Sequence, residues 1–118
     1  MSTSFEEVAS WIRNGRGTDL ARFLQDTSNY SHFDIDMREE STGNTLLHIA
    51  CQSGSKNMAK ICLRNGANIN VQNNRGRTPL HHAVKYGFHT LAEYIISKGA
   101  NDAIVDMEGY TCYEAAPS

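Results

Sequence analysis

The chain repeats itself every 33 residues, and no other property narrows its fold as far. Gly43, Gly76 and Gly109 stand at that interval, and so do Thr45, Thr78 and Thr111. Leu47 and Leu80 share it, as do His48 with His81, and Ala50 with Ala83 and Ala116. Later in the unit Gly54 pairs with Gly87, Gly66 with Gly99, Ala67 with Ala100 and Asn68 with Asn101. Small, polar and apolar residues all obey the same offset, so it marks a duplicated structural unit. A unit this short cannot enclose a core of its own, and stacked neighbours must bury one another.

The contents of residues 76–105 predict the shape of one unit. Thr78-Pro79 opens a helix, because Thr is a good N-cap and Pro fits a first helical position whose N–H has no partner anyway. Leu80, Ala83 and Val84 follow at i, i+3 and i+4 and make one apolar stripe. Tyr86-Gly87 ends that helix. A second helix carries Leu91, Ala92, Tyr94, Ile95 and Ile96 and stops at Lys98-Gly99. The preceding unit repeats the plan with Leu47, Ala50 and Cys51, then Met58, Ile61, Cys62 and Leu63, ending at Asn65-Gly66. Between the units, residues 68–72 alternate polar and apolar before a turn at Asn73-Asn74-Arg75-Gly76, which reads as a short projecting hairpin.

Gly-Arg-Thr-Pro-Leu-His-His-Ala at 76–83 and Gly-Asn-Thr-Leu-Leu-His-Ile-Ala at 43–50, each with a later Gly-Ala-Asn, resemble the ankyrin repeat. The second of these departs from the signature only by Leu46 in place of Pro. A third copy at 106–116 has Cys112 for Pro, Tyr113 for Leu and Glu114 for His. The resemblance covers residues 40–116 and implies an all-α solenoid of stacked helix-turn-helix pairs with projecting β-hairpin loops. It also implies that His48 and His81 hydrogen-bond within and between repeats.

The first 40 residues are less regular. Val8, Trp11 and Ile12 have helical spacing and Asn14-Gly15 closes that segment. Asp19 is expected to cap a second helix bearing Leu20, Phe23 and Leu24. The interval from Leu24 to Gly43 is 19, against 14 from Cys62 to Gly76, which implies about five inserted residues near Thr27–Phe33. The expected organisation is one domain over 1–118: a divergent N-terminal cap over 1–39, repeats over 40–72 and 73–105, and a partial repeat over 106–118. Trp11 is too large for the small-residue slot of an inner repeat and suits an end of the stack where nothing packs beyond it.

Composition excludes more than it indicates. The net charge of −2 supplies no basic field for nucleic acid or an anionic membrane. No apolar run approaches the roughly 20 residues of a bilayer-spanning helix, and the N-terminal residues lack a signal-peptide pattern. The three cysteines, Cys51, Cys62 and Cys112, form no C-x-x-C pair, which points to a reducing, intracellular setting, cytoplasmic or nuclear. Cys51 and Cys62 fall on apolar stripes, while Cys112 is expected to be exposed. His81 and His82 are helix neighbours that point apart, and His32 and His89 lie on loops, so no metal site is expected. No spacing sets a His and a carboxylate beside a nucleophile, and no Gly-Lys-Ser/Thr phosphate cradle occurs, so no catalysis and no cofactor are expected.

What remains is a surface. The resemblance places variable contact positions beside the signature Gly and at the end of each first helix. Here those are Ser41, Thr42, Asn44, Gln52 and Ser53, then Asn74, Arg75, Arg77, Lys85 and Tyr86, and finally Met107, Glu108 and Tyr110. The middle set joins guanidiniums, an ammonium and an aromatic ring, a composition typical of interface hot spots. The competing reading has Arg75 and Arg77 paired with Glu39, Glu40, Asp106 or Glu108. The expected function is therefore a monomeric, non-catalytic scaffold or adaptor, its protein partner acidic or mixed in charge. A rival reading makes the chain the N-terminal part of a longer array whose functional site lies elsewhere. The resemblance also makes Asn70 a candidate for asparaginyl hydroxylation, against which Cys62 stands where Leu is usual.

Overall fold

The computed structural model describes residues 5–25 and 34–114. Six helices run in pairs: α1 (Phe5–Arg13) with α2 (Gly17–Gln25), α3 (Leu46–Gln52) with α4 (Lys56–Arg64), and α5 (Pro79–Lys85) with α6 (His89–Ser97). The first helices α1, α3 and α5 form an inner layer, and α2 packs beside α4 in an outer one. The chain is all-helical with no strand among the described residues. The inserted segment near residues 27–33, with His32, lies outside the described residues, as does Ala116 of the third copy.

The same local chemistry starts α3 and α5. Thr45 and Thr78 both sit in extended backbone just before the helix, and each hydroxyl accepts the N–H of the third helical residue, His48 or His81. Each imidazole answers by accepting the N–H of its threonine, at 3.1 Å for Thr45 and 3.0 Å for Thr78. Ser55 caps α4 by accepting the Met58 N–H at 3.1 Å. α6 has Phe88 at the equivalent position and no side-chain cap. α2 differs from expectation: it starts at Gly17, so Asp19 lies inside the first turn instead of capping it. There Asp19 holds Arg16 at 2.6 Å, and the Arg16 carbonyl accepts the Leu20 N–H.

The core runs the length of the stack. Leu46 through Cys51 are all buried, because α3 has α1 on one side, α5 on the other and α4 behind it. Val8 and Ile12 close one end and Leu80, Leu91 and Ile95 extend the other. Trp11 is half-buried, its ring edge-on to Phe23 at 5.5 Å. Cys112, expected at the surface, is only 2 % exposed. The described part of the third copy docks against the preceding repeat, and its thiol joins the core.

The projecting loops are tight turns rather than strand ladders. One backbone bond closes each: Glu39 N–H to Asn44 O, Asn73 N–H to Arg77 O, and Asp106 N–H to Tyr110 O. Successive turns also stack, with Asn74 N–H donating to Thr42 O and Met107 N–H to Arg75 O, both at 3.0 Å. The signature glycines allow that approach. A Cβ on Gly43 or Gly76, each at φ +74°, would stand 2.8 Å from the backbone nitrogen of the next turn.

Candidate partner-binding surface

The turns and the inner helices meet in a cleft of about 290 Å³. Asn73 organises it. Its Oδ1 accepts the N–H groups of Arg75 (2.9 Å) and Arg77 (3.0 Å), which fixes which end of the amide is nitrogen. That Nδ2 then donates to Asn44 Oδ1 at 2.8 Å and points at His82 Nε2 at 3.3 Å. His82 Nε2 is thus an acceptor, and the ring proton belongs on Nδ1. Nδ1 is buried and has no hydrogen-bond partner. The ring stands edge-on to His48 at 5.2 Å and tilted against Tyr86 at 6.4 Å. Burial above all, then the neighbouring His48, Arg77 and Lys85, holds His82 down at about 3. His82 is a neutral imidazole at physiological pH.

His48 and His81 have a different task. With Nδ1 accepting from its threonine, each ring must carry its proton on Nε2 and donate it onward. His48 Nε2 reaches Arg77 O at 2.8 Å, and His81 Nε2 reaches Tyr110 O at 3.1 Å. Each signature histidine therefore ties its own helix cap to the turn of the next repeat. Burial pulls His48 down to about 4, against the Arg77 carbonyl bond, which favours a proton.

The expected contact residues divide on inspection. Ser41, Thr42, Asn44, Gln52, Asn74, Arg75 and Arg77 all line the cleft. Asn44 is nevertheless 9 % exposed and bonded to Asn73, so it holds the turns together. Arg77 is also internal. Its Nε lies 3.6 Å from Asp106 Oδ2 and its Nη2 lies 3.9 Å from Glu108 Oε1, which is the pairing weighed against its role as a contact. Burial would raise the Asp106 carboxyl, but the N–H groups of Tyr110 and Glu108, with His81 and Arg77 nearby, bring it below its usual value. Arg75 is exposed and has no ion pair among the described residues.

Lys85 and Tyr86 sit at the end of α5, with Lys85 Nζ 5.8 Å from the Tyr86 ring centre, and Tyr86 is 47 % exposed. Ser53 is an exposed C-cap of α3. Met107, Glu108 and Tyr110 lie on the last turn, outside the cleft lining, with Met107 77 % exposed. His82 and Asn73 are the participants that sequence reasoning left out. The available signal was a polar residue at 82 where the preceding copy has Ile49.

Little in the arrangement resembles reactive chemistry. Burial pushes the Cys51 thiol far above its ordinary range and Cys62 up to about 12, so neither is a thiolate at neutral pH. Among the described residues no three His, Cys, Asp or Glu side chains converge as a metal-binding set. None of the described helices is long and apolar enough to cross a membrane. Asn70 is partly buried, and its Oδ1 accepts the Asn101 N–H at 2.8 Å, stitching one repeat to the next.

A family model of ankyrin repeats, in three copies, matches residues 8–106. No curated protein matches the chain.

Proposed function

Because the chain belongs to the ankyrin-repeat family, whose members generally serve as protein–protein interaction modules, we propose that it is a non-catalytic adaptor gripping a partner protein with its turn tips and inner helices. The observation that carries this reading is the cleft beneath the turns. Exposed Arg75, Asn74 and Gln52 border it, the His82 ring lines it, and the exposed Tyr86 ring stands beside His82. The supporting turns are held rigid by bonds the partner need not supply, which lowers the ordering cost of binding. A partner strip with carboxylates facing Arg75 and Lys85, and an apolar group against Tyr86, fits best. Arg77, Asn44 and Glu108 serve by positioning the turns, and Met107 and Tyr110 extend the contact.

In this reading residues 1–39 are a divergent N-terminal capping repeat, 40–72 and 73–105 form complete repeats, and 106–118 form a partial repeat. The molecule works as a monomer in a reducing intracellular compartment, a setting that three free cysteines support. The test is affinity capture from cell extract with wild type and with Arg75→Glu/Tyr86→Ala. Both side chains are exposed, so the variant keeps its melting temperature while losing the partner band. Equal capture by the two proteins rejects this surface.

Exposed apolar side chains at one end of the stack favour a second reading. Val105 is 47 %, Met107 77 % and Tyr113 61 % exposed. Further repeats or a second copy would cover them, and the functional site would then lie beyond this stack. Sedimentation velocity separates the two readings for the copy case: a concentration-independent monomer supports the adaptor, and self-association supports the covered end.

A further inference from the structure

Charge along this chain is segregated, and the cleft uses only part of it. No Asp or Glu occurs between Glu40 and Glu93, yet Lys56, Lys60, Arg64, Arg75, Arg77 and Lys85 all fall in that interval. Three of these six lie on α4, which carries no acidic residue. Lys56, Lys60 and Arg64 recur every fourth residue, so they form one stripe along the helix. Lys60 is two positions from both Met58 and Cys62, about 200° around the helix, and those two face the core. The stripe therefore faces away from the cleft, with Lys56 and Arg64 exposed and Lys60 half-buried between them.

Its surroundings extend the positive field. α2 and α4 border an open groove of about 420 Å³. Arg22 and Arg64 line that groove with Ala21, Ile61, Thr18 and Asn57. At the other flank, Lys56 and Lys98 approach the Tyr94 ring at 4.9 and 5.6 Å. Among the described residues none of Arg22, Lys56, Lys60, Arg64 or Lys98 belongs to an ion pair. The carboxylates on the outer helices are Asp19, held by Arg16 at 2.6 Å, and Glu93. Asp36, on the C-terminal side of α4, is engaged by the Asn68 N–H at 2.8 Å.

We infer that this outer face of α4, with the α2–α4 groove, is a second docking surface for an acidic peptide in extended conformation. Successive cations of the stripe are about 6 Å apart along the helix axis. Alternate side chains of an extended chain are about 6.7 Å apart, close enough for a carboxylate at every second position to meet each cation in turn. The intervening side chains face away, and the guanidiniums of Arg22 and Arg64 offer fork-shaped donors to a carboxylate at the groove. A lipid surface fits less well, because none of the large exposed apolar residues, Tyr86, Ile96, Val105, Met107, Tyr110 and Tyr113, lies on the stripe. Nucleic acid is disfavoured by the acidic segments on either side and by Tyr94, whose ring is flanked by two ammoniums.

The probe is a fluorescein-labelled (Glu-Val)4 peptide, followed by anisotropy with the intact chain. Wild type binds it, and raising the salt weakens binding. Lys60→Glu/Arg64→Glu weakens it at least tenfold, while Arg75→Glu, on the other face, changes it less than twofold. Lys60→Gln/Arg64→Gln removes charge with less disturbance and gives a loss of the same direction should the reversal variant fold poorly. Absence of peptide binding overturns the inference, as does binding that survives both double variants or is lost equally in Arg75→Glu. Tighter binding to phosphatidylserine vesicles or to a DNA duplex than to the peptide also overturns it. The adaptor reading stands apart, since its surface carries Arg75 and not the stripe.

Discussion

His48 and His82 lie ring against ring, and neither takes up a proton without losing something. A proton on His48 Nδ1 would face the Thr45 N–H that this atom now accepts. His82 would gain a charge in a buried place beside His48, Arg77 and Lys85. The unfolded chain binds a proton at each histidine near 6.5, the folded chain only near 4 and 3. Acid therefore favours unfolding, so the stability tied to these rings is complete above about pH 7 and drains away as the pH falls from 6.5 toward 4. Each histidine contributes a slope of up to about 1.4 kcal/mol per pH unit in that window. Thermal melts should show a constant Tm from pH 8 to 7 and a steep fall below 6.5, with a shallower fall in His82→Gln. A Tm that stays level down to pH 4.5 contradicts the neutral pair. At the same scale, Arg77→Ala removes the cation beside the Asp106 carboxylate, 2 % exposed, leaving it the Glu108 and Tyr110 N–H donors, and should cost about 1–3 kcal/mol in denaturant titration. Arg75→Ala should cost less than about 0.5 kcal/mol. Nothing in the sequence separates these two arginines, which sit two residues apart in one turn. The next repeat decides, by placing an acid beside one and solvent beside the other. Burial of Cys112 was hidden for the same reason, since it depends on docking between copies rather than on local pattern.

The helix pairs at 45–66 and 78–99 were legible because their punctuation is chemical. Thr, Pro and Gly each do something the backbone requires at that place, and the second copy repeats it. The start of α2 was less legible, because Asp19 is a good cap in isolation while the helix begins two residues earlier at Gly17. The turns separate two kinds of glycine. Gly76 combines φ +74° with a backbone nitrogen 2.8 Å from any added Cβ, whereas Gly87 combines φ +77° with open space. Gly87→Ala should cost about 1 kcal/mol, the ordinary penalty of a left-handed residue. Gly76→Ala should cost at least about twice that, because the last turn must also move off its neighbour. Equal losses in equilibrium unfolding would mean that turn stacking contributes nothing. Thr78→Ala removes a capping hydroxyl and should cost about 1 kcal/mol.

As a whole, the molecule is a stack in which each copy is finished by the next. His48 and His81 each bond the following turn, Asn74 and Met107 hang from the preceding one, and α3 is enclosed from three directions. That arrangement was legible in outline from the 33-residue period, since units unable to bury themselves must stack. The placement of the cleft was legible only in part: seven of the expected contacts line it, while Asn73 and His82, which shape it, are recognisable only from the bonds between turns. Stacking also orders the stability, because a middle unit has two neighbours and an end unit one. Native-state hydrogen exchange tests that claim most directly. The amides of α3 should exchange slowest, at or near the rate set by global unfolding, with α1 and the 106–110 turn opening earlier from opposite ends. Exchange from α3 as fast as from α1 would contradict a stack held together at its centre.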